Sequence, residues 1–229
     1  MRFFLLFLVA LLVGCGGGGG GGDSTPPPVQ KDVVVYVPGG GWATVTQPNE
    51  VPPDIATLPR MAAELGWDYV QLDYPVGECC LAASIISKLT GDLAALQESH
   101  RKVYVVASSA GTTPIARILQ LQPQLIDAYV GLCGIYDLTT TPDEFQRLYG
   151  YRYTNDPVAD SPIYYGKPTK PIMLWHSTGD TIVPWTQSTA FSDSDTHLVV
   201  DPGLDHCLRI WDTNAVTPTI AWLKELSHG

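Results

Sequence analysis

Residues 103–113, VYVVASSAGTT, decide how the chain is read. Val103 to Ala107 is a continuous apolar and β-branched run, the mark of a strand buried on both faces. It breaks into Ala107-Ser108-Ser109-Ala110-Gly111, after which a helix can run to about Leu121. A serine on a sharp strand-to-helix turn needs small residues two positions before it and two after, because the turn is strained. Ala107 and Gly111 meet that need around Ser109. Centred on Ser108, the flanking residues would be Val106 and Ala110, and valine is too large. Ser109 is therefore the candidate nucleophile.

Upstream, Val35 to Trp42 reads VYVPGGGW, a strand opening into a glycine run. Glycines let a backbone turn its N–H groups toward a reacting carbonyl oxygen. Downstream, Ile172 to Trp185 reads IMLWHSTGDTIVPW: a buried strand, His176, a short turn, Asp180, then Val183-Pro184. Asp180 is the candidate acid, and His176, preceding it on the same strand, reads as structural. Val199 to Leu208 reads VVDPGLDHCL, and His206 follows the last strand as the candidate base. His100 and His197 each precede a strand, and so belong to the opposite edge of a parallel sheet. His228 lies in the tail.

Glycine loop, serine, acid, histidine is the chain order of the α/β-hydrolase fold, and not that of chymotrypsin-like or subtilisin-like chains. From Val33 onward the chain resembles bacterial carboxylesterases of the acetyl-esterase and feruloyl-esterase-like kind. Pro38-Gly39-Gly40-Gly41-Trp42 resembles their HGGGW oxyanion loop, with Pro38 in place of histidine. His176 to Pro184 resembles HGxxDxxVP, with Ser177 in place of glycine; Ala107 replaces the usual glycine before the nucleophile. Leu72-Asp73-Tyr74, Gly134 to Leu138 and Ser161-Pro162-Ile163 extend the likeness. The resemblance implies a Ser109–Asp180–His206 triad, with an oxyanion hole from the backbone N–H groups of Gly40, Gly41 and Ala110. It also implies acyl transfer from an ester to water, with no metal or organic cofactor. Trp42 and Trp185 are the candidate substrate-lining residues, with Tyr74, Tyr136 and Trp211 behind them. A peptidase of the same fold, and a non-catalytic surface binding protein on a decayed hydrolase fold, are the competing readings.

The rest of the chain fits alternating βα units. Strands are expected at 32–37, 69–73, 103–107, 128–133, 172–176 and 196–200. Helices are expected at 55–65 (capped by Asp54), at 81–98, after Ser109, and from Thr217 as N-cap with Pro218 at the first helical position. The stretch 137–170 has weak periodicity and several prolines, which predicts one or two short helices, a minimal cap and a shallow site. Because the strand expected at 32–37 follows the N-terminal segment directly, the first antiparallel strands of the fold should be missing, leaving six mainly parallel strands.

The N-terminus reads as processing signal and not as fold. Arg2 precedes an apolar run from Phe3 to Val13, too short to span a bilayer, which ends at Gly14-Cys15. This resembles a bacterial lipoprotein box with Cys15 as the lipidated residue. Residues 1–14 would be the signal, 15–30 a Gly/Pro-rich tether, and 31–229 the catalytic domain. Export and a lipid anchor to a bacterial membrane follow; a secreted soluble form is the alternative.

Of five cysteines, Cys79, Cys80, Cys133 and Cys207 remain, and in an oxidising compartment they allow three pairings. Cys79–Cys80 with Cys133–Cys207 is favoured, since the latter two should both lie near the active-site edge of the sheet. No CxxC motif or Cys/His spacing typical of zinc sites is read in the sequence, and no metal is expected. With 229 residues and a formal net charge of −10, the chain has no basic cluster to neutralise phosphates, so nucleic acid is not an expected partner.

Overall fold

β1 (Val33–Val37) is buried along its whole length, because both of its faces are covered. Val33, Val35 and Val37 pack on one side and Val34 and Tyr36 on the other, as the two-residue period of a strand requires. The computed structural model describes residues 29–44, 57–77, 79–203, 205–207 and 215–229. The expectations placed on Cys15, Asp54 and Trp211 lie outside these residues.

Five further strands join β1: β2 (Asp68–Gln71), β3 (Val103–Ser108), β4 (Ala128–Leu132), β5 (Ile172–Ser177) and β6 (Thr196–Asp201). Their order is β2-β1-β3-β4-β5-β6 and every pairing is parallel. The six-stranded parallel sheet expected from the sequence is thus the sheet observed, with no antiparallel strand among the described residues. Strand ends differ from expectation by one or two positions. Asp32, for example, stays outside β1, where its buried carboxylate accepts two hydrogen bonds of 2.7 Å from Arg101.

Helices cover both faces. On one side lie α2 (Ala82–Ser99) and α3 (Thr112–Leu121). α2 buries Ala82, Ile85, Leu89 and Leu93, a stripe at helical spacing. On the other side lie α1 (Thr57–Leu65) and the C-terminal α7 (Val216–His228), whose Leu58, Met61, Trp222 and Leu223 pack against Val34, Tyr36, Tyr104 and Val106. α7 begins two residues earlier than expected, so Thr217 is inside the helix and not its cap. Pro218 still falls in the first turn, where a missing N–H leaves no hydrogen bond unmade.

The segment after β4 holds more structure than its periodicity predicts. Asp143–Phe145, a π turn Gln146–Gly150 and Tyr151–Tyr153 form one helical run, α4. The short α5 (Pro157–Asp160) and a 3₁₀ turn (Pro162–Tyr164) follow. α6 (Thr186–Phe191) connects β5 to β6. Both favoured disulfides, Cys79–Cys80 and Cys133–Cys207, are present.

Candidate active site

The chain leaves β1 to form β2 on one side, then crosses back to form β3 on the other. In a parallel sheet such a reversal opens a crevice at the carboxyl ends of the two diverging strands. The Gly39–Gly41 loop follows β1 and Ser109 follows β3, so the fold brings both to that crevice.

Ser109 has φ 49°, the left-handed region that a side chain with a Cβ rarely enters. The turn leaves no room for anything larger around it. A Cβ on Gly111 would lie 2.6 Å from the carbonyl oxygens of Val37 and Pro38, and one on Gly39 would lie 2.8 Å from Ser109 Cβ. Ser108 points elsewhere: its hydroxyl sits 2.8 Å from Tyr36 OH and accepts the Gly39 N–H at 3.1 Å. Of the two adjacent serines, the structure leaves Ser109 facing the crevice.

Ser109 Oγ lies 2.8 Å from His206 Nε2, and His206 Nδ1 lies 2.6 Å from Asp180 Oδ2. An ionised carboxylate only accepts, so Nδ1 carries the ring proton and Nε2 is free to accept from the serine hydroxyl. Asp180 is itself held by loop geometry. Its Oδ1 accepts the N–H groups of Ile182 at 2.9 Å and Val183 at 2.8 Å. Burial alone would raise the Asp180 pKa. Hydrogen bonds from His176 and His206, the charge interaction with His206 and the Val183 N–H outweigh burial and hold the carboxyl well below its ordinary range.

His176 is fully buried, with Nε2 3.0 Å from Val183 O and 3.2 Å from Asp180 Oδ2. Its Nδ1 lies 2.8 Å from Ser188 Oγ. Nε2–H therefore donates into the acid loop while Nδ1 accepts from Ser188. The sequence marks His176 as structural; its contact with the acid itself was missed, since the HxxxD spacing does not reveal which way the ring turns. Ser177, in place of the usual glycine, accepts the Gly179 N–H at 3.1 Å.

Gly40 and Gly41 have φ 114° and 60°. Their N–H groups find no protein acceptor among the described residues, whereas Gly40 O accepts from Ala43 and Thr44. Ala110, the residue after the serine, is buried at the start of the turn into α3. The loop lacks the histidine that would brace it, and Tyr74 supplies the brace instead. The Tyr74 hydroxyl lies 2.8 Å from Pro38 O and 3.0 Å from Gly39 O, and burial pushes its pKa far up, keeping it a donor.

A cleft of about 470 Å³ opens over Ser109 and His206, lined by Gly40, Gly41, Phe145, Tyr149 and Ile182 among others. It adjoins a second hollow of about 230 Å³ between Leu148 on α4 and Thr181-Ile182 on the acid loop. A larger surface cleft, about 570 Å³, lies beside Cys80 and the start of α2 but brings no base to a nucleophile. Of the aromatic residues expected to line the substrate, those among the described residues do not form the cleft wall. Trp42 is fully buried, stacked on Tyr153 at 4.7 Å between ring centres. Tyr136 is buried against Phe191, and Trp185, though 37% exposed, is not part of the cleft wall. Phe145, Tyr149 and Ile182 take that place. Weak periodicity hid the first two.

No protein-family model matches the chain, and no curated protein matches it in sequence. Solved structures do match in fold. An acetyl ester-xyloside bifunctional hydrolase from Caldicellulosiruptor lactoaceticus superposes with a TM-score of 0.71 at 18% identity, over 88% of this chain and 85% of that one. The carboxylesterase Cest-2923 from Lactobacillus plantarum WCFS1 gives 0.69 at 18% identity, over 90% and 89%. An esterase, Est2, from Thermogutta terrifontis gives 0.64 at 17% identity, over 89% and 85%. Together with the parallel six-stranded order and the turn that carries Ser109 at the end of β3, these likenesses assign the chain the α/β-hydrolase fold.

Proposed function

We propose that this chain is a serine carboxylic ester hydrolase with Ser109 as nucleophile, His206 as general base and Asp180 as the acid that orients it. The observation that carries the reading is the unbroken run of short contacts from Ser109 Oγ through His206 to Asp180, at 2.8 and 2.6 Å, on the floor of an open cleft. In the reaction, His206 Nε2 takes the Ser109 proton as Oγ attacks the ester carbonyl. The tetrahedral oxyanion turns to the N–H groups of Gly40, Gly41 and Ala110. His206 then protonates the leaving alcohol, and water repeats the sequence on the acyl-enzyme. Asp180 holds the Nδ1–H tautomer throughout.

The named activities of the structural neighbours support an ester substrate. The Thermogutta esterase has been seen with propionate and with butyrate, which favours a short acyl group here as well. A cleft this open also suits acetyl or feruloyl esters carried on polysaccharide. A peptidase of the same fold would share the triad, so amide substrates belong in the assay.

The test is hydrolysis of p-nitrophenyl esters of graded length, with matched anilides, by the wild type and by Ser109→Ala. Wild-type turnover of the short esters should fall on the order of 10⁶-fold in the variant. An inert wild type, or an equally active variant, would sink the reading. A fluorophosphonate should label the peptide at Ser109 and not at Ser108.

A further inference from the structure

His206 has a neighbour that ester hydrolysis does not use. Cys207 follows it directly and is bonded to Cys133, the residue just past β4. Both half-cystines are buried and both are in the left-handed region, at φ 45° for Cys133 and 47° for Cys207. Two side chains held in that region at one point of the site indicate a local arrangement imposed by its surroundings. The Cys207 sulfur lies 3.7 Å from His206 Nε2 and 3.4 Å from Leu132 O. Among the described residues, Cys133, His206 and Cys207 form a group of three metal-ligand side chains whose donor atoms all lie within 4.8 Å of one another.

The Cys207–His206 part of that spacing is one a thiophilic cation accepts. Zinc bonds of about 2.3 Å to sulfur and about 2.0 Å to nitrogen, at tetrahedral angles, place the two ligand atoms about 3.6 Å apart. The Cys207–His206 pair already stands at 3.7 Å. Cys133 would supply a second thiolate once its sulfur is free, leaving the fourth position open toward the cleft.

We infer that the Cys133–Cys207 bond guards a soft-metal site built on the catalytic base. While the bond is closed neither sulfur is a thiolate, and Nε2 faces Ser109 undisturbed. Opening it requires a reductant such as a phosphine or a dithiol. With a phosphine, two electrons pass from phosphorus to the S–S bond; water supplies the phosphine-oxide oxygen and the two thiol protons. Zn²⁺ or Cd²⁺ then binds as both thiols release their protons to solvent. The Nε2 lone pair that would accept the Ser109 proton is donated to the metal. The enzyme is metal-tolerant when oxidised and metal-inhibited when reduced. The inhibition rests on the role proposed above for His206; the metal binding does not.

The experiment uses the full chain carrying Cys15→Ser, Cys79→Ser and Cys80→Ser, which leaves Cys133 and Cys207 as its only cysteines. The protein is reduced with a phosphine in mild denaturant, returned to native buffer, and its free thiols counted before titration with Cd²⁺. The ultraviolet cadmium–thiolate absorption should rise to saturation at one Cd²⁺ per chain. Ester hydrolysis should fall at least tenfold over the same titration and return with a chelator. The oxidised protein should show neither change, and Cys133→Ser should weaken cadmium binding at least tenfold. Absence of saturable absorption in the reduced protein overturns the proposal, as does saturation with hydrolysis intact. A reduced chain that fails to regain its circular dichroism with or without Cd²⁺ overturns it too. If the oxidised protein hydrolyses no ester, the function proposed above fails while the absorption titration still decides the metal site.

Discussion

The Tyr74 hydroxyl reaches across to the Pro38 and Gly39 carbonyls and so fixes the direction of the next two N–H groups in the loop. Tyr74→Phe removes that donor and leaves two carbonyls short of a partner, at a cost of about 1–3 kcal/mol in stability. The larger effect should be on the transition state. We expect kcat to fall about tenfold with KM little changed, and unchanged kcat would show that the loop needs no such brace. Asp180 makes a second prediction. Its folded pKa is depressed, so its contribution to stability is complete above the unfolded value of about 3.9 and is lost as pH falls toward the folded value. The wild type should therefore lose stability through the acid range more steeply than Asp180→Asn, as denaturation at a series of pH values from 7 to below 3 would show. The same variant should lose about 10⁴-fold in kcat, because an amide no longer selects the productive tautomer. At this scale the sequence was legible where sterics decide: Val106 alone separates Ser109 from Ser108. It was not legible where a contact spans the chain, as between Tyr74 and Pro38, or where burial decides a role, as for Trp42.

The elements sort in the same way. Strands buried on both faces announce themselves in runs such as VVVYV and VYVVA, and with the half-buried edge strands β2 and β6 the six expected are the six observed. α4 does not, because its π turn at Gln146–Gly150 shifts the period away from the 3.6 residues of a regular helix. Yet α4 supplies Phe145 and Tyr149 to the cleft, and Tyr149 packs so closely on the glycine loop that a Cβ on Gly41 would meet its ring at 2.4 Å. The acyl preference should follow this wall. Ile182→Trp would fill the passage between the two hollows, and should cut kcat/KM for hexanoate esters roughly tenfold or more while sparing acetate, since each methylene is worth about 1–3 kcal/mol in such a pocket. Equal losses on both chain lengths would place the acyl group elsewhere.

For the molecule as a whole, the parallel order separates two ends with different duties. Ser109, Asp180 and His206 all gather beyond the carboxyl ends of strands. The N-terminal ends are pinned by other means: Gln30 donates to Glu98 O, Lys31 pairs with Asp68, and Asp32 is gripped by Arg101. We propose that Cys15 carries a lipid anchor. Incorporation of a labelled fatty acid should disappear in Cys15→Ser, and the protein should move from the membrane to the soluble fraction; a label that persists would refute the anchor. If the anchor holds, the pinned entry to β1 acquires a geometrical meaning. β1 runs toward the crevice, about 3.3 Å per residue, so Val29 stands near the pole opposite Ser109. A chain leashed through that pole would keep its mouth clear of its own attachment, and could graze on material too large to approach the membrane itself.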